Sequence, residues 1–302
     1  MTGPDLRAAL GGISGILVTP FDTDDVIAPQ RLAPIIDRAL GAGLHVPVVN
    51  GNTGEFYALT VDEAEQMAGE VCALVAGRAP VLAGVGRSVK DACRLAASAK
   101  RAHAAGLMVH QPPDPFAAPR GVVDYVRRVA DAGDGLPLML YLRNDAIGTA
   151  AIAALCAVPG VIGVKWATPN PLKLAEAISA CDPSIIWVGG LAEVWAPALY
   201  AVGARGFTSG LVNVWPERSL AIHAALEAGD YAGARALIAE IAVFEEVRAM
   251  EMNGTNVTGV KSALAAMGHD CGPTRPPAAW PLAPEQHARL TAFLVANRLV
   301  AS

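Results

Sequence analysis

Eight short apolar runs recur along this 302-residue chain, and their spacing limits its fold more than any other feature. They begin at Ile13, Leu44, Pro80, Gly106, Pro137, Val161, Ile185 and Gly206. Successive starts therefore lie 31, 36, 26, 31, 24, 24 and 21 residues apart. Each run has the length of one strand and is apolar on both faces. Strands of that kind belong to parallel sheets covered by helices. The intervening segments are rich in alanine and carry helical spacing. In residues 60–76, TVDEAEQMAGEVCALVA, Thr60 followed by Glu63 makes a capping box, and Ser88 with Asp91 repeats the pattern in residues 88–105. Ala42-Gly43 and Ala105-Gly106 have the form of glycine C-caps leading into the next strand.

Eight strand–helix units are what a (β/α)8 barrel requires. The competing architecture is an open doubly wound sheet, but no GxGxxG follows the first strand, and eight units favour closure. After about residue 215 the strand pattern stops. Residues 216–250, 255–267 and 284–299 read as helices, joined by the Pro-rich stretch CGPTRPPAAWPLAP. The expected fold is an α/β (β/α)8 TIM barrel over residues 1–215 with a C-terminal helical domain over 216–302.

Composition removes several function classes. Hydrophobic residues make up 53% and charged residues 17%, which excludes a disordered chain. A net charge of −5 without any basic run argues against nucleic acid as a partner. No apolar stretch is long enough to span a bilayer. The opening stretch MTGPDLRAALGGISG lacks a basic region followed by an apolar core, so no leader and a cytoplasmic location are expected. The five cysteines are scattered and form no CxxC pair, as in reduced thiols. The six histidines form neither HxH nor HExxH, so no metal site is expected.

In barrel enzymes chemistry collects at the carboxyl ends of strands. The sixth run, VIGVKWAT, holds Lys165 in its middle. The chain has only five lysines, and the other four (Lys90, Lys100, Lys173, Lys261) lie in helical stretches where a solvated head is easily arranged. Alternation puts Lys165 on one face with Gly163 and Ala167, leaving Ile162, Val164 and Trp166 on the other. Small neighbours leave room for a long side chain pointing into the barrel. A buried amine loses its proton readily and becomes a nucleophile for Schiff-base chemistry. A lysine whose head reaches water or a carboxylate is the structural alternative. Tyr141 and Arg143 share a face one strand away. A phenol there suits proton transfer. The guanidinium either clamps a carboxylate or pairs with Asp145. The turn GNTGE offers Gly51 and Gly54 for close backbone approach to an anion, and Thr53 adds a hydroxyl. The sequons at Asn253 and Asn256 read as chance.

The motifs GNTGE, YLRND, GVKWAT and GGLAE, at these intervals, resemble the dihydrodipicolinate synthase / N-acetylneuraminate lyase superfamily across nearly the whole chain. That resemblance implies a barrel with C-terminal helices, assembled as a homo-oligomer, commonly a dimer of dimers. It also implies a Schiff base between Lys165 and the ketone of a 2-keto acid, Tyr141 as proton shuttle, and no metal or organic cofactor. Gly51, Asn52, Thr53 and Gly54 would anchor the substrate carboxylate. Arg143, Asn144, Gly190, Thr208 and Ser209 would contact the distal part of the substrate. Three features depart from the synthase pattern. Asn52 replaces a relay threonine, HQPPDPF lacks the tyrosine lent by a neighbouring subunit, and Ala146 replaces an arginine. YLRNDAI, GGL and the serine-bearing eighth run are closer to 5-dehydro-4-deoxyglucarate dehydratases. The expectation is a dehydratase of a 2-keto-3-deoxy sugar acid. The alternatives are a dihydrodipicolinate synthase or pyruvate-dependent aldolase, and a non-catalytic keto-acid sensor.

Overall fold

The computed structural model describes residues 5–300. Residues 1–4 of the stretch read for a leader, and the last two of the C-terminal region, lie outside them. Eight parallel strands close a barrel in sequential order. They are β1 (Ile13–Ile16), β2 (Val46–Val49), β3 (Leu82–Val85), β4 (Gly106–His110), β5 (Leu138–Leu142), β6 (Val161–Trp166), β7 (Ile186–Gly189) and β8 (Phe207–Ser209). Each falls within one of the eight apolar runs. The eighth run is only half strand, because Leu211–Asn213 turns into a 3-10 helix after Gly210.

A short helix α1 (Leu6–Ala9) precedes the barrel, and its Leu6, with Leu10, joins the apolar cluster that fills the barrel interior. The helices between strands are α2 (Ala33–Ala42), α3 (Val61–Val75), α4 (Val89–Arg101), α5 (Pro119–Ala132), α6 (Thr149–Cys156), α7 (Pro171–Ala180) and α8 (Ala192–Tyr200). The capping box at Thr60 forms with both of its bonds. Gly43 caps α2 at φ 105°. Ala105-Gly106 does not cap α4: that helix ends at Arg101, His103 takes the left-handed conformation, and Gly106 already belongs to β4.

Beyond β8 the chain is helical, as expected, but more finely divided. Residues 216–250 hold α9 (Pro216–Glu227), α10 (Tyr231–Glu240) and most of α11 (Ala242–Asn253). Gly229 at φ 73° and the Asp230 cap break the first pair. Then come α12 (Asn256–Ala266) and α13 (Pro284–Ala296). Within the last residues of α11, Met250 leaves helical geometry and Glu251, Met252 and Asn253 are left-handed, so the chain kinks before α12 begins.

The faces of β6 depart from strict alternation. Val164 and Trp166 pack outward against the helices, and Lys165 points inward. Ile162, however, packs against the interior cluster, because the β5–β6 register slips between Leu138 and Met139. The bulge changes the face of the residue before Gly163 and leaves Lys165 inward. Among the described residues, no helix is long and apolar enough to cross a membrane.

Gly206 closes the barrel where β8 meets β1. It sits at φ 73°, and a Cβ there would lie 2.2 Å from the Gly12 carbonyl oxygen. Gly229 shares the same φ, with open space around it. Gly206→Ala should therefore cost well over the ~1–2 kcal/mol of a left-handed alanine, while Gly229→Ala costs only about that much. Parallel urea melts of the two variants check the difference. Equal losses would mean the seam is not tightly packed.

Candidate active site

The carboxyl ends of the strands open into a cavity of about 1070 Å3 that continues beneath α10, α11 and α12. Lys165 reaches it from β6 and is only 3% exposed. Its register neighbours are Tyr141 on β5 and Val188 on β7. The ammonium nitrogen Nζ lies 3.8 Å from the centre of the Tyr141 ring. Burial drives the Lys165 pKa down to about 7, and the nearby charge of Arg143 pushes the same way. Among the described residues, no carboxylate acts against them. Such an amine is a free base for much of the time near neutrality.

Tyr141 is buried as well. Its Oη accepts a hydrogen bond from Nδ2 of Asn52 at 2.9 Å. Burial lifts the phenol to about 12, while Arg143 and the Asn52 bond pull it back. Oδ1 of Asn52 is buried without a partner among the described residues. Turning the amide over would exchange the two atoms. Either way Asn52 holds the Tyr141 hydroxyl and keeps one polar atom spare.

The GNTGE turn faces the cavity with Asn52 and Thr53. Its own bonds run from Gly54 N to Gly51 O, from Glu55 N to Asn52 O and from Phe56 N to Gly51 O. Among the described residues, the amides of Asn52 and Thr53 have no acceptor. Asn52 and Thr53 line the cavity, and amides without acceptors beside a hydroxyl are the donor set that suits a carboxylate. The glycines act differently from expectation, for neither lines the cavity. A Cβ on Gly51 would strike Ile16 at 2.4 Å, and one on Gly54 would meet the Leu17 carbonyl at 2.9 Å. They let the turn lie close against β1.

Other expected contacts are redistributed. Gly190 and Thr208 line the cavity. At Gly190 the Trp166 carbonyl would stand 2.7 Å from a Cβ, so no side chain fits. Arg143 also lines the cavity, 5.9 Å from the Tyr141 ring centre. Among the described residues, Asp145 does not pair with it; Thr168 and Asn170 donate to Oδ2 of that carboxylate. Asn144 is outside the cavity: its side chain accepts from Ala146 N at 3.0 Å and shapes the turn. Ser209 is outside too. It points away from the interior and donates at 2.5 Å to Glu193, which also takes Ser219 at 2.6 Å. Alternation explains the loss, since Thr208 and Ser209 cannot both face inward.

The model of the Dihydrodipicolinate synthetase family matches residues 9–297. The chain belongs to this family. It is 29% identical over 295 residues to a protein of Rhizobium rhizogenes named as a probable 5-dehydro-4-deoxyglucarate dehydratase, covering 96% of this chain and 97% of that one. It is 33% identical over 274 residues to a 4-hydroxy-tetrahydrodipicolinate synthase of Methanoculleus marisnigri, covering 88% and 92%. The crystal structure of a dihydrodipicolinate synthase from Oceanobacillus iheyensis superposes with a TM-score of 0.92 at 37% identity, covering 97% of this chain and 98% of that one. Membership in this family of lyases and synthases places the chain among enzymes.

Three groups at this family site escaped the sequence reading. His110 ends β4 in the same layer as Tyr141 and Lys165. It carried the signal that singled out other strand ends, a polar residue closing an apolar run. Glu55 and Lys261 gave less warning. Lys261 is not a solvated helical lysine: its side chain is fully buried, and Nζ lies 2.6 Å from the Glu55 carboxylate. It also donates to the Pro273 carbonyl, while Arg275 N donates to the other Glu55 oxygen. Glu55 stands at φ 56° as the last residue of the GNTGE turn. The ion pair thus ties that turn to α12.

The two buried lysines should respond oppositely to removal. Lys165 must shed its proton to be buried, a cost present at pH 7 that fades as pH rises toward the free-lysine value of ~10.4. Lys165→Met should melt above the parent at pH 7, with the gain shrinking by pH 10. Lys261→Met leaves the buried Glu55 carboxyl without its counter-charge, and should lose about 3–5 kcal/mol. Thermal melts of both variants across pH 7–10 check the contrast. A stabilised Lys261→Met would refute it.

Proposed function

We propose that this protein is a Schiff-base-forming lyase that removes water from a 2-keto-3-deoxy sugar acid. The observation that carries the reading is the buried, carboxylate-free Lys165 beside a cavity edged by the free amides of Asn52 and Thr53. The substrate carboxylate binds those amides and the Thr53 hydroxyl. That places the adjacent ketone at Lys165 Nζ. The amine adds to C2, and the carbinolamine loses water to give an iminium. A C3 proton then leaves, and the enamine expels the C4 hydroxyl, which takes up a proton and departs as water. Hydrolysis returns the lysine. Tyr141, held by Asn52, carries protons on and off the carbinolamine and the leaving oxygen. The lysine serves as electron sink, so no metal or organic cofactor enters the scheme.

Arg143 favours a substrate with a polar or anionic far end, because it lines the cavity and Asp145 is occupied elsewhere. The size of the cavity favours a sugar acid over pyruvate alone. The relative named as a glucarate-type dehydratase supports this choice. The relative named as a synthase supports the other, condensation of pyruvate with an aldehyde. Ala146, in place of the synthase arginine, weighs against it.

Borohydride reduction in the presence of pyruvate and of 2-keto-3-deoxy sugar acids, followed by peptide mass analysis, tests the covalent step. The expected result is an adduct on Lys165 that Lys165→Arg abolishes. No adduct with any keto acid would leave a binding protein and overturn the lyase. Product analysis with the sugar acids, against pyruvate plus aspartate semialdehyde, separates dehydratase from synthase.

The nucleophile is the free amine, so adduct formation should climb as pH rises through about 7 and level off above it. Tyr141→Phe should retain trapping but slow turnover by about 10²–10⁴. Rates measured from pH 5.5 to 9 check both. A flat profile would contradict the buried free base.

A further inference from the structure

We propose that His110 is a positioning residue that sets the carboxylate-binding turn and the Tyr141 ring by bridging over β3. The inference rests on the Schiff-base reading for the identity of the ligand, and on geometry for everything else.

His110 is in register with Tyr141, and Tyr141 with Lys165. Three polar side chains on adjacent strands therefore share one layer of the barrel. His110 is fully buried. Its Nε2 lies 3.0 Å from the carbonyl oxygen of Asn50, the residue just before the GNTGE turn. A carbonyl can only accept, so Nε2 carries the proton and the ring is the Nε2–H tautomer. Burial pushes the imidazole pKa down to about 3, so the ring is neutral at any pH where the enzyme would work.

The bridge passes over β3, and the sequence of that strand leaves room for it. A Cβ on Gly84 would stand 2.1 Å from Asn50 O and 3.0 Å from His110 Nε2. A Cβ on Gly86 would stand 2.9 Å from His110 Cβ. Glycines two apart lie on one face of a strand, here the face the imidazole crosses.

The ring also touches both parts of the site. Phe56, which follows the turn, stacks on it with ring centres 4.4 Å apart and planes 13° apart. The Tyr141 ring lies 5.1 Å away. One side chain therefore contacts the carbonyl that begins the turn, the aromatic that ends it, and the proposed proton carrier.

The arrangement has a cost that a space-filling role would not demand. Nδ1 of His110 is buried with no partner among the described residues. An apolar ring would fill the space without that orphan, but would leave Asn50 O without its donor. Holding Asn50 is what the imidazole adds.

The test compares His110→Phe, which keeps the stack and loses the donor, with His110→Gln, whose amide can restore the donor. The probe is pyruvate, trapped by borohydride over a range of concentrations. His110→Phe should raise the half-saturating pyruvate concentration by about tenfold or more, yet still load Lys165 at saturation. His110→Gln should stay within about threefold of the parent. Hydrogen exchange at the Gly54, Glu55 and Phe56 amides should quicken in His110→Phe and not in His110→Gln. A purely structural histidine would lower the melting temperature without moving half-saturation, and that result overturns the proposal. If the parent traps no keto acid, the Schiff-base reading fails, and exchange alone decides. Faster exchange only in His110→Phe supports the bridge, and unchanged exchange refutes it.

Discussion

An ammonium group cannot be taken out of water without a partner unless it gives up its proton. This constraint acts twice here, with opposite outcomes. Lys261 is enclosed with the Glu55 carboxylate at 2.6 Å and joins α12 to the GNTGE turn as an ion pair. Lys165 is enclosed without a carboxylate and sits beside a phenol and an arginine, so its proton is held loosely. One lysine ties the turn to the C-terminal helices, and the other is left with a loosely held proton beside the cavity. Were the partners exchanged, the turn would be unanchored and Lys165 would keep its proton.

The barrel makes this pairing of roles practicable. Parallel strands in sequential register place His110, Tyr141 and Lys165 side by side, although they are 31 and 24 residues apart in the chain. The interior below them is apolar and capped by Leu6 and Leu10 of the N-terminal segment. The apolar layer beneath sets Lys165 apart from the far end of the barrel, and its side chain opens toward the cavity under the C-terminal helices. Those helices do more than cover it. Arg275 bonds Glu55 through its backbone and Glu63 through its guanidinium, so the Pro-rich segment grips the turn and the first turn of α3 together. Glu193, held by Ser209 and Ser219 and lifted to about 7 by burial, fixes α8 against β8 on the other side.

Much of this was legible in the chain before folding. Strand positions follow from apolar runs because burying both faces of a parallel strand requires them. Lys165 and Tyr141 stand out because a cation or phenol inside such a run has to be accounted for. The reading failed where local pattern did not decide orientation. Ser209 follows Thr208 at a strand end, and only the exact strand limit tells which of the two turns inward. Asn144 was credited to a ligand, but its side-chain Oδ1 accepts from Ala146 N and caps the turn. Ile162 changed face through a register slip that no two-residue period contains.

The sequence by itself determined the eight-unit barrel, the helical segment after it, and the inward-facing lysine and tyrosine on the sixth and fifth strands. Each of these rests on periodicity or on a polar residue inside an apolar run, and both are local properties. Tertiary structure alone decided the remote partners. Lys261 meets Glu55 across 206 residues of chain, and His110 reaches Asn50 across the intervening strand. Nothing near Lys261 in sequence distinguishes it from a solvated helical lysine. A buried charge is explained only by what packs against it, and that neighbour exists only once the barrel has closed.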